Sequence, residues 1–237
     1  MSNLANQNVL VIGGTSGIGE AVAQLAQMAG ATVTVASRSV RKALMPRPDG
    51  IRALAVDVTD RHSVAALFEE VRKLDHVCLA AGPTALTGDF ADIDPVAAAG
   101  HFDTRFWSTF HVAQMAGRRL AGKGSLSFII GALSRKPMQG RAMVTAAQCA
   151  VEGLARGLAI DLAPIRVNTI VAGLTDTPMW SGLEPARRKT FFEDYAKKTP
   201  AHRVGMPQDV AAMVLAAMAN PYVTGASLVV DGGSTIN

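Results

Sequence analysis

The 237-residue sequence predicts an α/β fold: one doubly wound parallel sheet flanked by helices on both faces. Three observations carry this. Short apolar runs, several of them β-branched, alternate with helical patterns along the whole chain. The first run, Val9-Leu10-Val11-Ile12, passes directly into the glycine-spaced Gly13-Gly14-Thr15-Ser16-Gly17-Ile18-Gly19, and a helical pattern starts at Glu20. The composition, 49% hydrophobic and 18% charged, fills a core and excludes a disordered chain. The length fits a single large domain over 1–237.

The glycine-spaced stretch is the first candidate site. Backbone N–H groups at a helix start lack partners and carry partial positive charge, which suits a pyrophosphate. Glycine permits the sharp turn and lets the backbone come close to a ligand. With a strand before it and a helix after it, the stretch reads as a nucleotide-binding turn. Gly13, Thr15, Ser16, Gly17, Ile18 and Gly19 are its candidate contacts.

The first helix runs to Ala29 and stops at Gly30; Ala31–Ala36 is the second strand. It ends at Ser37, Arg38 and Ser39, where a dinucleotide-binding fold meets the adenosine ribose. An acidic residue there would bond the ribose hydroxyls of NAD, whereas an arginine suits a 2′-phosphate. No Asp or Glu lies near that strand end, so NADP(H) is favoured over NAD(H).

Residues 45–50, with Pro46, Pro48 and Gly50, form a loop before a third strand at 51–56. Asp57 stands at its carboxyl end, where its carboxylate can accept from an adenine amine. Thr59 or Asp60 caps a helix through Val64, Leu67, Phe68 and Val71. Strand four, His76–Leu79, ends in the small residues Ala80, Ala81 and Gly82, which let a flat ring lie against the backbone. A loop leads to one long helix at about 95–121, then to strand five at 125–130 and a small-residue helix at about 142–163. Strand six covers 165–171. The pattern then loosens over about 173–204, a length typical of a lid or substrate loop. A helix at 208–218 and a strand at 227–230 close the chain.

Several function classes are disfavoured. The net charge of +4 comes from scattered residues without interleaved aromatics, which argues against nucleic-acid binding. No apolar segment is long enough to span a membrane and no signal peptide is visible. Cys78 and Cys149 lack metal-ligand spacing and are too few for a disulfide framework, so no metal is expected and the location expected is cytoplasmic.

Taken together, these landmarks resemble the short-chain dehydrogenase/reductase family. The resemblance rests on the glycine stretch, Asp57-Val58, Ala81-Gly82, Ala150-Val151-Glu152-Gly153-Leu154, Ile165-Arg166-Val167-Asn168, Gly173 with Thr177-Pro178-Met179, Arg203-Val204-Gly205, and Thr224-Gly225 with Asp231-Gly232-Gly233. It implies a Rossmann-type domain that transfers hydride between NAD(P)(H) and a small alcohol or carbonyl substrate. It adds Val58, Ala80, Ala81, Gly82, Gln148, Gly173, Leu174 and Thr177 to the expected cofactor contacts. Family members commonly pair their two long helices across a two-fold axis, so a homodimer or homotetramer is expected.

The family's catalytic Tyr-x-x-x-Lys falls on Val144 and Gln148, its Ser on Gly131 and its Asn on Arg105. In the family the Tyr donates the proton, the Lys lowers the Tyr pKa and bonds the nicotinamide ribose, and the Ser orients the carbonyl. Val144 and Gln148 share one helix face and offer a methyl group and an amide, neither of which donates a proton at useful pH. No catalytic residue is therefore assigned, and Gln148 keeps only a ribose-bonding role. Thr145, Cys149, Ser134, Lys136, Arg141, Tyr195 and His202 are the nearby groups that offer a substitute. Ile12, Leu79 and Ala80 also replace polar residues that in the family tether the first loop to strand four. A catalytically inactive, NADP(H)-binding member is the alternative reading.

Overall fold

The computed structural model describes residues 3–42, 50–82, 86–120, 122 and 124–237. Strands β1 (Asn8–Ile12), β2 (Thr32–Ser37), β3 (Arg52–Ala55), β4 (His76–Leu79), β5 (Ser125–Gly131), β6 (Arg166–Ala172) and β7 (Ser227–Val230) form one parallel sheet. Their spatial order is β3-β2-β1-β4-β5-β6-β7. The helices are α1 (Gly17–Met28), α2 (Arg61–Glu70), α3 (Pro95–Phe102), α4 (Ser108–Arg119), α5 (Ala142–Asp161), α6 (Pro185–Lys198) and α7 (Pro207–Ala219). This is the Rossmann-like doubly wound arrangement that the alternating pattern predicts.

Side chains alternate across a strand, and here the alternation builds two cores. Leu10 and Ile12 of β1, with Val77 and Leu79 of β4, pack toward α2, α4 and α5 around Phe68 and Phe128. Val9, Val11 and Cys78 point the other way, onto α1 and α7. The chain order reverses between β1 and β4, the switch point at which open α/β sheets bind ligands. Between the Asp60 and Thr59 alternatives, Asp60 is the cap of α2, its side chain accepting from the His62 N–H at 2.9 Å. Among the described residues no helix is long and apolar enough to cross a membrane.

One expected element is corrected. The single helix at 95–121 is interrupted between α3 and α4 by a turn of π-helix, Asp103–Trp107; Ala121 lies outside the described residues. Hydroxyls explain the break, because they compete for main-chain acceptors along this stretch. Thr104 Oγ1 donates to the Gly100 carbonyl, Ser108 Oγ to that of Thr104, and Thr109 Oγ1 to that of Arg105. Elsewhere element ends shift by a few residues: the first helix starts at Gly17 and the helix before β6 ends at Asp161.

At the amino end of the sheet, buried His76 bridges Ser125 Oγ and Gln7 Oε1, both at 2.8 Å. Burial, with a smaller push from Arg166, lowers its pKa from 6.5 to about 4. Unfolding returns the ring to its ordinary pKa, so its contribution is intact above pH 6.5 and fades as pH falls toward 4. Denaturant unfolding at pH 7 and at pH 4.5 is expected to show wild type losing about 2–3 kcal/mol from this group. His76→Gln should lose that increment and keep the remaining pH dependence.

Candidate functional site

The glycine stretch is held by main-chain proximity. The Ala80 and Ala81 N–H groups both donate to the Ile12 carbonyl, at 2.8 and 3.1 Å, and the Gly13 N–H donates to Ala36. A Cβ on Gly13 would stand 2.5 Å from the Ala81 nitrogen, and one on Gly19 would overlap the Gly13 carbonyl. Backbone bonds thus tether the first loop to the end of β4 where the family's polar side chains are missing.

Ser16, the N-cap of α1, makes no side-chain cap bond, so the N–H groups opening α1 stay available to an anion. Thr15 reaches across to β2, where Thr15, Ser37 and Ser39 form a closed hydroxyl triangle with sides of 2.9, 2.8 and 3.2 Å. Arg38 stands exposed beside it. Asp57 Oδ1 accepts from the Thr59 hydroxyl and N–H. These bonds, aided by the charge of Arg38, hold Asp57 below the ordinary carboxylate range and leave Oδ2 for a ligand. The Val58 side chain is buried in the core.

The segment after β6 closes the same region. Gly173 packs on Asp231, and Thr177 lies against Gly17, where a Cβ would meet it at 3.3 Å. The Leu174 N–H donates to the Tyr195 hydroxyl at 3.2 Å. Trp180 donates to the Thr175 carbonyl and packs tilted against Phe191 and edge-on to Phe192 of α6. An ion pair joins Arg188 to Asp176. No residue of α6 is buried. The expected lid segment is therefore held together by these internal contacts and meets the glycine loop at Thr177.

At the carboxyl ends of β4 and β5 the arrangement is unusual. Val144 is buried. Gln148 is 6% exposed, and its amide lies over Gly131, where a Cβ would stand 2.9 Å from Nε2. The amide makes no hydrogen bond among the described residues, and its Oε1 is buried without a partner. Gln148 fills the space beside Gly131. The π turn sends Arg105 to the same edge, where Nη1 donates to the Ile129 carbonyl at 3.2 Å. The guanidinium covers Gly82, whose missing Cβ would stand 2.6 Å from Cζ. Desolvation pushes its pKa down from 12.5 to about 10. Arg105 is the group whose position the sequence did not convey; the Thr104, Ser108 and Thr109 hydroxyls were the available signal.

The other nearby groups are mostly engaged. Lys136 Nζ donates to the Ser234 and Asn237 carbonyls, and Ser134 Oγ to Gly131. Cys149 is exposed; Arg141 is the N-cap of α5; His202 is exposed beyond α6. Thr145 Oγ1 is buried without a partner. Among the described residues no cluster of three His, Cys, Asp or Glu side chains is placed to hold a metal.

A family model described as enoyl-(acyl carrier protein) reductase matches residues 13–235. The short-chain dehydrogenase/reductase ucsE of Acremonium sp is 31% identical over 98% of this chain and 97% of its own length. The chain belongs to the short-chain dehydrogenase/reductase family. Another relative, the cis-4-hydroxycyclohexanecarboxylate dehydrogenase of Sinomonas cyclohexanicum, is 33% identical over 98% of this chain and 97% of its own length. Among solved structures, a small-chain dehydrogenase in complex with NADPH superposes with a TM-score of 0.86 at 30% identity, covering 98% of this chain and all of that one.

The Gly131–Gln148 contact makes a prediction. Gly131→Ser alone should destabilise the protein by less than about 1 kcal/mol, since the new side chain meets only the movable end of Gln148. Adding Gln148→Ala should recover most of that loss, a coupling that a double-mutant cycle in denaturant would measure.

Proposed function

We propose that this chain is an NADP(H)-dependent oxidoreductase acting on a small carbonyl or alcohol substrate without the family's Tyr–Lys pair. The observation that carries the cofactor choice is the end of β2. Three hydroxyls and an exposed arginine gather there with no carboxylate among them, which suits a 2′-phosphate better than a free ribose hydroxyl. The bare N-terminus of α1 would take the pyrophosphate, Ala80–Gly82 the ribose and ring, and 173–177 the nicotinamide end. The NADPH-bound relative supports the same reading.

A bound nicotinamide supplies the hydride. The residues of this chain then position the substrate, exclude water through the 173–204 segment and stabilise charge. At the family's Tyr, Lys, Ser and Asn positions stand Val144, Gln148, Gly131 and Arg105, so proton delivery falls to water or to a product that needs no enzyme-donated proton. We further propose a homodimer or homotetramer, because Gly100, Gly153 and Gly157 present open faces on α3 and α5 with nothing within 4 Å of a Cβ. The two cysteines are free, in keeping with a cytoplasmic location.

A second reading has its own support. The buried Val144 and the Gln148 amide packed by Gly131 equally suit a member that binds NADP(H) without turnover. NADPH oxidation against a panel of carbonyls and enones separates the two. Turnover that disappears on pocket substitution favours the enzyme; saturable NADPH binding with no turnover favours the binder.

Calorimetry tests the cofactor choice. NADPH is expected to bind more tightly than NADH, and Arg38→Ala should weaken NADPH by about ten- to a hundredfold while leaving NADH unchanged. Equal affinities, with Arg38→Ala silent, would remove the assignment. Gly131→Ser/Val144→Tyr/Gln148→Lys should raise generic carbonyl reductase activity, since the lysine replacement also clears the amide from Gly131; a folded variant with no gain would place the barrier elsewhere in the pocket.

A further inference from the structure

Taking the chain as the oxidoreductase proposed above, we infer that its substrate carries a carboxylate, and that Arg105 is the residue that anchors it. Arg105 is a specificity residue in this role rather than a proton donor.

The first support is an uncompensated charge. The guanidinium is inserted between the ends of β4 and β5, on Gly82 and on the Ile129 carbonyl. Its Nε is buried and has no hydrogen-bond partner. Among the described residues no Asp or Glu forms an ion pair with it; Glu152, the buried acid of α5, pairs with Arg135 instead. A cation that gives up part of its hydration is favoured by an anion beside it, and among the described residues this guanidinium has none.

The second support comes from the groups around the guanidinium. Buried polar side-chain atoms without a partner are few among the described residues, and Arg105 Nε, Thr145 Oγ1 and Gln148 Oε1 are three of them. All three belong to the π turn and to the start of α5, which pack against each other. A native interior satisfies such groups, so a cluster of them at a cleft marks where a ligand's polar atoms complete the bonding.

The chemistry of these groups selects the ligand. A guanidinium is a planar fork of five donors with no acceptor, and one donor is committed to Ile129. The remaining fork matches the two oxygens of a carboxylate. The amide of Gln148 adds a neutral donor and acceptor. One cation balances one negative charge; a phosphate monoester, more negative, would exceed what Arg105 alone balances. A neutral ketone would leave the guanidinium unpaired. Gly82 completes the arrangement: any side chain there would displace the guanidinium.

Matched pairs test this, with acetoacetate against acetoacetamide and benzoate against benzamide. Each is titrated calorimetrically into the full chain, with and without saturating NADPH. The carboxylate of each pair should bind at least about tenfold more tightly than its amide. Arg105→Gln should abolish that difference while the NADPH affinity stays within about twofold; Arg105→Lys, a folded-state control that keeps the charge but loses the fork, should retain part of it. Equal affinity for acid and amide overturns the inference. So does discrimination that survives in Arg105→Gln, or the absence of carboxylate binding up to about 10 mM. Loss of NADPH affinity in Arg105→Gln would assign the guanidinium to the cofactor, which also overturns it. If wild type binds no NADPH, the oxidoreductase reading falls, and the titrations without nucleotide still decide the role of Arg105.

Discussion

The structure depends on one close approach, that of the turn after β1 to the end of β4. Gly13 sits where a Cβ would stand 2.5 Å from the Ala81 nitrogen, and Gly19 closes over the Gly13 carbonyl. Two N–H groups share the Ile12 carbonyl across the same gap. This contact fixes where the amino end of α1 points, and through it the positions of Thr15 beside β2 and Gly17 beneath Thr177. Main chain carries the whole arrangement, so the side chains at Ile12, Leu79 and Ala80 are free to be apolar and serve the two cores instead.

Across the cleft, side-chain volume has been redistributed. The absence of a side chain at Gly131 makes room for the Gln148 amide, and the absence of one at Gly82 makes room for the Arg105 guanidinium. Each glycine is matched by a long polar neighbour. The space is filled, but Arg105 Nε and Gln148 Oε1 are left without hydrogen-bond partners. Functional sites are where such local inconsistencies are tolerated.

Much of this was legible in the sequence because it is encoded locally. The strand–glycine–helix junction at 8–28, the alternation that orders the sheet and the Ser37–Ser39 strand end each follow from residue type and period. The helix at 95–119 was not, because its small and apolar residues read as unbroken. The hydroxyls of Thr104, Ser108 and Thr109 take main-chain acceptors within the helix, an effect too weak to dominate a periodic pattern yet sufficient to admit a π turn. The direction of Gln148 was equally hidden. It depends on Gly131, seventeen residues earlier in the chain but adjacent in space, and no spacing rule links them. Asp57 was legible as a strand-end carboxylate, but its bond to the nearby Thr59 hydroxyl takes one of its two oxygens.

The chain's two tryptophans happen to bracket the cleft. Trp107 lies in the π turn that carries Arg105, edge-on to Phe106 and Phe110. Trp180 lies in the segment over the glycine loop, against Phe191 and Phe192. Intrinsic emission is thus divided between the two walls of the site. Replacing either indole with phenylalanine leaves a single tryptophan, and each such protein, excited beyond tyrosine absorption, reports one wall: the arginine side, or the segment in which Arg188 pairs with Asp176. The order in which the two walls respond to nucleotide becomes a spectroscopic question that needs no attached dye.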